Sequence, residues 1–163
     1  MRIAALALIL LAAPARAQDA PDAPAPPDAR VEAALKALGL VYDVEDGGDY
    51  ALDFDLDGGR GQTVWVRPET AEVGGLSMRE VFSVAFSPSD SAAVVVVPGL
   101  AMRLLEENTE FAAGAWCVED GGVVFIVRLA ADASPAELRA AIDLAAGVAD
   151  ALDAELHDGD DVW

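Results

Sequence analysis

The residues best placed to do chemistry are three aspartates at alternate positions, Asp53, Asp55 and Asp57, followed by Gly58. This run, DFDLDG, matches the opening of a calcium-binding loop, in which oxygens at alternate positions ligate the ion. The match ends there, because the twelfth position is Val64, where such loops carry a bidentate glutamate. We therefore predict a solvated row of carboxylates on a strand; the alternative is a weak divalent-cation or small-ligand site.

The residue inventory gives little support to nucleophilic or metal-assisted catalysis. The sequence contains one cysteine, Cys117, and one histidine, His157, which lies in an acidic segment. It has no Gly-x-Ser-x-Gly motif, no phosphate-binding glycine loop and no zinc-like His/Cys pattern. We expect no catalytic residue and no cofactor, and we interpret Cys117 as a buried thiol. The alternative is an unrecognised enzyme, which would need a pocket containing a carboxylate of raised pKa.

A protein-binding surface is the other candidate site. Thr63, Trp65 and Arg67 alternate with Val64 and Val66, so they lie on opposite faces of a predicted strand. If helices cover only one face of the sheet, Trp65 and Arg67 would form an interaction site. The simpler interpretation, that Trp65 belongs to the hydrophobic core, is the one that the sequence favours.

The charge restricts the classes of partner. The 163 residues include 10 Lys and Arg against 29 Asp and Glu, a formal net charge of −19. Such a chain repels phosphate backbones and anionic lipid, so we expect neither nucleic acid nor membrane as a partner. It would attract a cationic protein surface. The simpler interpretation is that the acidic surface confers solubility.

The N-terminus has the pattern of a bacterial secretory signal peptide. Arg2 precedes an apolar run, residues 3–13, and an A-R-A cleavage motif ends at Ala17. The run is too short for a permanent membrane helix, so we predict cleavage between Ala17 and Gln18 and a periplasmic or secreted protein. Residues 18–28, rich in Pro, Ala and Asp, predict an extended linker.

Residues 29–157 predict a single α+β domain, with an acidic tail at residues 158–163. Asp28 and Gly39 have the residue types that cap a short helix between them. The run S-P-A-E that starts at Ser134 is a capping box, and it predicts a long C-terminal helix of about 22 residues on the apolar spacing that follows.

Strand signals fill the middle of this domain. We predict a meander of strands at residues 40–45, 50–56 and 62–67, a fourth strand at 81–87, a middle helix at 98–108, and a hairpin at 112–119 and 123–129. Residues 68–78 are expected to be irregular, and residues 92–97 fit either a strand or the start of the helix. The run at 123–127 is apolar on both faces, which favours a central strand beneath the C-terminal helix.

The element order resembles that of the YbjN-type bacterial proteins, which are described as sensory transduction regulators and share a fold with type III secretion chaperones. The resemblance spans residues 29–156 and rests on LLEENTEFAAGAW before the hairpin and SPAELRAAIDLAAGVADAL at the end. Asn108 matches the Asn-rich helix end of that family. The resemblance implies a small acidic protein that binds other proteins and forms homodimers, and it supplies no catalytic residues.

Overall fold

The computed structural model describes residues 28–56, 59–87, 98–119 and 121–156. Several features predicted above lie outside these residues: the signal peptide with its cleavage site at Ala17 and Gln18, most of the linker, Asp57, residues 92–97, His157 and the acidic tail.

The described residues form an antiparallel sheet with three helices. The elements are α1 (Ala29–Leu38), β1 (Asp43–Val44), β2 (Tyr50–Asp55), β3 (Gly61–Val73), β4 (Leu76–Phe86), α2 (Pro98–Glu107), β5 (Ala115–Glu119), β6 (Gly122–Ala130) and α3 (Pro135–Leu156). The sheet order is β1-β2-β3-β4-β6-β5, and all neighbouring strands are antiparallel. The predicted α+β class, with an N-terminal, a middle and a long C-terminal helix, is confirmed.

Local capping chemistry sets the ends of α1 and α3. The Asp28 carboxylate accepts a hydrogen bond from the backbone N–H of Arg30, and Gly39 ends α1 in the left-handed conformation, with φ of 67°. At α3, the Glu137 N–H donates to Ser134 Oγ, and the Ser134 N–H donates to Glu137 Oε2 at 2.8 Å. The predicted capping box is therefore confirmed.

The long β3–β4 hairpin corrects the prediction that residues 68–78 are irregular. Pro68 does not end β3, because the β3–β4 register shifts between Val66 and Thr70 and the strand continues to Val73. A bulge of this kind accepts a proline, which has no N–H to donate to the ladder. Gly74 and Gly75 close the hairpin with φ of 59° and 87°. Two successive positive φ angles are typical of a type I′ turn, which matches the twist of the strands.

The hydrophobic core lies between one face of the sheet and helices α1 and α3. Helix α3 contacts β3, β4 and β6, and α1 packs against α3. The small residues Ala145 and Ala149 are fully buried, which is consistent with a close approach of α3 to the strands. Strand β6 lies beneath α3 as predicted, but it is not central: it lies between β4 and β5, next to the sheet edge.

Asn108 closes part of the exposed β5 edge. Its side-chain Oδ1 accepts from the Trp116 N–H at 2.6 Å, and its Nδ2 donates to the Trp116 carbonyl at 3.3 Å. The side-chain amide thus pairs with the outward peptide groups of Trp116 as a neighbouring strand would. Beside it, Met102, Leu105 and Val118 form an apolar patch that is exposed to solvent.

Candidate binding surface on the open face of the sheet

The alternation predicted for β3 places Trp65 on the face of the sheet that points away from the core. Val64 and Val66 are fully buried in the core, whereas Trp65 and Arg67 point the other way and are partly exposed. We call this side the open face; it comprises Thr63, Trp65, Arg67, Glu80, Phe82, Val84 and Arg128, with Val124 and Ile126 buried at its centre. The favoured interpretation of Trp65 as a core residue is therefore wrong, and the alternative of a surface tryptophan holds.

A stacked aromatic pair forms the middle of the open face. Trp65 and Phe82 are cross-strand partners in β3 and β4, and their rings stack with centroids 5.4 Å apart and planes 12° apart. The indole N–H of Trp65 donates to Glu45 Oε1 at 2.9 Å. The Arg67 guanidinium lies over the Phe82 ring, 4.6 Å from its centroid, in a cation–π contact. These contacts hold flat aromatic surfaces at fixed positions on a partly exposed sheet.

A chain of ion pairs crosses the open face beside this stack. Arg67 pairs with Glu80 and, at 2.6 Å, with Glu119; Arg128 pairs with the other oxygen of Glu80 at 2.7 Å. Burial works to lower the pKa of Arg67, but the hydrogen bond to Glu119 and the charge of Glu80 hold that pKa above its ordinary value. Both guanidinium groups are thus matched by carboxylates.

Two grooves adjoin along β3 on this face. The first, of about 290 Å³, is lined by the uncharged residues Gly61, Gln62, Thr63, Trp65, Val84 and Ser87. The second, of about 500 Å³, has a charged lining that includes Asp49, Arg67, Glu69, Glu80 and Arg128. Trp65 lines the uncharged groove and Arg67 the charged one, so the chemistry of the surface changes within two residues of one strand.

Asp49 is the site residue that the sequence analysis missed. Burial raises the pKa of its carboxyl group, and the charges of Glu69 and Glu45 add to this effect, against a lowering by Arg67. In the part of the chain that the structure describes, Asp49 forms no salt bridge. The run D-G-G-D that contains Asp49 predicted a turn. It could not predict the partial burial of the Asp49 side chain, which depends on the neighbouring strand β3.

The carboxylates that were the candidates for the alternative cation site do not form a cluster among the described residues. Asp53 accepts a hydrogen bond from Thr63 Oγ1 at 2.7 Å, Asp55 is exposed, and Asp57 lies outside the described part. Within residues 28–56, 59–87, 98–119 and 121–156, no group of three or more His, Cys, Asp or Glu side chains could hold a metal ion.

Cys117 is half-buried rather than fully buried as predicted. Its thiol lies 3.8 Å from the Ala115 carbonyl oxygen and lines a groove of about 210 Å³ between α2 and β5. His157, the one histidine of the sequence, lies outside the described residues.

Comparisons with known proteins add no relationship. No protein-family model matches the chain, and no curated protein matches it. The resemblance to the YbjN-type proteins therefore stays a prediction. None of the helices in the described ranges is both long and apolar enough to cross a membrane.

Proposed function

We propose that this protein is a non-enzymatic protein-binding domain, exported to the periplasm, that binds its partner on the open face. The observation that carries the proposal is the Trp65–Phe82 stack, which is partly exposed on the side of the sheet away from α1 and α3. Tryptophan, other aromatic residues and arginine are the residues enriched at the centres of protein interfaces. The stack lies beside two grooves, so a partner can pack against it and fill space on either side.

The rigidity of this surface also supports binding. The indole N–H is bonded to Glu45, and Arg67 is held by Glu80, by Glu119 and by the Phe82 ring. Side chains that are already ordered lose little conformational entropy when a partner binds. The YbjN-type resemblance, which implies a protein-binding domain, points in the same direction.

A photo-crosslinking experiment tests the location of the binding surface. A benzophenone amino acid at Val84, on the open face, should form adducts with a periplasmic protein, and the same group at Arg139, on the exposed side of α3, should not. The Val84 adduct should be lost when Trp65→Ala is added. Equal adducts at the two positions would refute the open face as the binding surface, and adducts at Val84 that persist in Trp65→Ala would refute the role of the Trp65–Phe82 stack in binding.

The proposed export has its own measurement. Intact-mass and N-terminal analysis of protein isolated from the periplasm should show a chain that begins at Gln18. A chain that retains residue 1 and is found in the cytoplasmic fraction would contradict the proposal of export.

A small-ligand site is the second candidate function, because a groove of about 500 Å³ contains Asp49, a carboxylate of raised pKa. Calorimetric titration with calcium separates the cation version from the main proposal. The protein-binding proposal predicts no heat and no change in melting temperature. A saturable heat that is reduced in Asp49→Asn, or in Asp53→Asn, would favour the cation site.

Self-association is a third property that we propose, following the homodimer that the resemblance implies. The exposed apolar patch of Met102, Leu105 and Val118 supports it. Sedimentation equilibrium should show dimers of the natural chain and monomers of Leu105→Glu. Monomers of the natural chain at all concentrations would exclude the dimer.

A further inference from the structure

The two grooves of the open face differ in charge, and this difference specifies the chemistry of a partner. Among the described residues, those that line the groove beside Trp65 carry no charge, whereas the other groove has three carboxylates and two guanidinium groups in its lining. A segment that follows β3 would therefore pass from lining residues that carry no charge, where Asp53 and Glu45 accept hydrogen bonds from Thr63 and Trp65, to a lining of carboxylates and guanidinium groups.

The charged groove favours a cation over an anion. Arg67 and Arg128 are both engaged by Glu80, and Arg67 also by Glu119. Asp49 and Glu69, by contrast, form no salt bridge with any residue of the described part of the chain. Asp49 is near enough to Arg67 to interact with its charge but forms no salt bridge with it, so carboxylates outnumber guanidinium groups in this groove.

The salt bridges on the rest of the described surface also favour a basic partner over an acidic one. Every basic residue of the described ranges is in a salt bridge: Arg30, Lys36, Arg60, Arg67, Arg79, Arg103, Arg128 and Arg139. An acidic partner would have to break one of these pairs and approach a chain of net charge −19. A basic partner would be attracted by the carboxylates that are in excess on this surface.

The register of the sheet gives the spacing between the two subsites. Thr63 marks the uncharged groove, and Asp49 lies level with Arg67, because the next residue, Tyr50, pairs with Val66. Thr63 and Arg67 are four residues apart, which corresponds to about 13 Å along an extended chain. In an extended ligand, side chains four positions apart point in the same direction.

We propose that the open face binds an extended segment of a partner protein that carries an apolar side chain and, four positions away, a lysine or arginine. The apolar side chain packs against Trp65 in the uncharged groove, and the cationic head group pairs with Asp49 and Glu69. This inference rests on the proposed function, since it presupposes that the open face binds protein.

Selection from a random dodecapeptide phage library tests the proposal. The baits are the chain that begins at Gln18, its Trp65→Ala and Asp49→Asn variants, and Glu110→Gln as a control that removes an exposed carboxylate elsewhere. The natural chain and Glu110→Gln should enrich peptides with an apolar residue and a basic residue four positions apart. Trp65→Ala should lose the enrichment, and Asp49→Asn should lose the preference for the basic residue. Asp49→Asn keeps the size of the side chain, so it serves as the variant that folds.

The outcomes separate the inference from the proposed function. Enriched peptides that depend on Trp65 but lack a basic residue, or carry an acidic one, overturn the inference and leave the binding surface in place. Enrichment that does not depend on Trp65, or no enrichment at all, overturns the inference, and the crosslinks at Val84 then decide the proposed function separately.

Fluorescence anisotropy with a synthetic peptide of the enriched type measures how much the basic residue contributes to the affinity. Replacing its basic residue by glutamine should weaken binding about tenfold, as expected for a partly buried ion pair of about 1.4 kcal/mol. The same replacement should have little further effect against Asp49→Asn, because the pair is already broken.

A second peptide, in which the basic residue lies three rather than four positions from the apolar residue, should also bind more weakly, because its basic side chain then points away from the groove. Equal binding by the fourth- and third-position peptides would overturn the proposed spacing.

Discussion

Asp49 shows, at the scale of a single residue, how the candidate site costs stability. Its pKa is raised by burial, which outweighs the lowering by the charge of Arg67, and the charges of Glu69 and Glu45 raise it further. A carboxyl group that is harder to ionise in the folded state binds more protons there than in the unfolded chain. Its penalty is absent at low pH, develops as pH rises through the two pKa values and is fully present at neutral pH. Residues that are kept at such a cost are concentrated at functional sites.

We therefore predict that Asp49→Asn stabilises the fold at pH 7, because the neutral amide avoids the cost of a buried charge. The gain should shrink as pH falls through the raised pKa of the native carboxyl group, which then takes up its proton. Urea unfolding followed by circular dichroism at pH 7, 5.5 and 4 measures it. Glu110→Gln, at an exposed position, should show no comparable gain. A loss of stability in Asp49→Asn at pH 7 would mean that the carboxylate is favourably paired.

Arg79 is the contrasting case of a buried charge that holds the fold together. Its guanidinium, almost fully buried, donates to the carbonyls of Arg67 and Pro68 at the β3 bulge and to the Asp28 carboxylate. The side-chain hydrogen bond with Arg30, with a further contribution from Arg79, holds the pKa of Asp28 well below its usual range. The group that caps α1 therefore stays charged except in strong acid. Its contribution to stability is complete above the pKa of an unfolded aspartate and is lost as pH falls from there through the lower pKa of the folded state.

We predict that Arg79→Met destabilises the domain by about 3–5 kcal/mol, the range measured when one partner of a buried ion pair is removed. The two bulge carbonyls and Asp28 would lose a shared donor. Arg139→Met is the matched control, because Arg139 is exposed and, among the described residues, has a salt bridge with Asp143 alone, one turn away. It should change stability by less than about 0.5 kcal/mol. A loss below about 1 kcal/mol for Arg79→Met would show that water replaces the guanidinium at the bulge.

At the scale of the elements, Asn108 links the end of α2 to the edge of the sheet. A side-chain amide that pairs with both peptide groups of Trp116 lets a short helix terminate against a strand without adding another strand. This is a protective device at an edge that would otherwise present free donors and acceptors.

We predict that Asn108→Ala destabilises the fold by about 1–2 kcal/mol, since it removes two hydrogen bonds and leaves the Trp116 peptide groups unpaired. Hydrogen exchange should show faster exchange of the Trp116 amide. Asn108→Asp is the informative control, because its carboxylate still accepts from the Trp116 N–H but cannot donate to the carbonyl. It should retain the amide protection, and equal exchange in both variants would refute the acceptor role of Asn108.

The elements also show which parts of the fold a sequence can predict. The ends of α1 and α3 follow from neighbouring residues, Asp28 and Gly39 at one helix and Ser134 with Glu137 at the other. The extension of β3 beyond Pro68 was missed because a proline normally stops a strand, and the bulge that accommodates it depends on the pairing with β4. Local chemistry was predictable, and features that depend on another strand were not.

The candidate site also contains features that the sequence could predict and features that it could not. Alternation placed Trp65 and Arg67 together on one face of β3, and that prediction is confirmed. The face of the sheet that becomes the core is the one that α3 covers with its apolar side chains. Because α3 lies more than 60 residues away in sequence, the residues around Trp65 do not show which face this is, and the assignment of Trp65 to the core was wrong. Phe82, the partner of the stack, required the register of β3 with β4.

At the scale of the whole molecule, the excess of acid determines how the protein responds to salt. Acidic residues outnumber basic ones by 29 to 10, while all the basic residues of the described ranges are already in salt bridges. Salt weakens the exposed pairs among these, each of which contributes about 0–1 kcal/mol, and it also screens the repulsion among the remaining carboxylates. The first effect lowers the stability of the fold and the second raises it. Because acidic residues outnumber basic ones, we expect the second effect to be larger.

We predict that repulsion dominates, so the melting temperature rises when NaCl is increased from 10 mM to 300 mM at pH 7. At 10 mM salt the screening length is about 30 Å, comparable with the dimensions of the domain, so carboxylates on distant elements repel each other. Differential scanning fluorimetry measures the shift. Neutralising two exposed carboxylates, with Glu72→Gln and Glu110→Gln together, should raise the melting temperature in 10 mM NaCl and reduce the further gain from added salt. A melting temperature that falls with NaCl would show that the ion pairs outweigh the repulsion. It would also weaken the electrostatic case for a basic partner, since that case depends on an unbalanced negative charge.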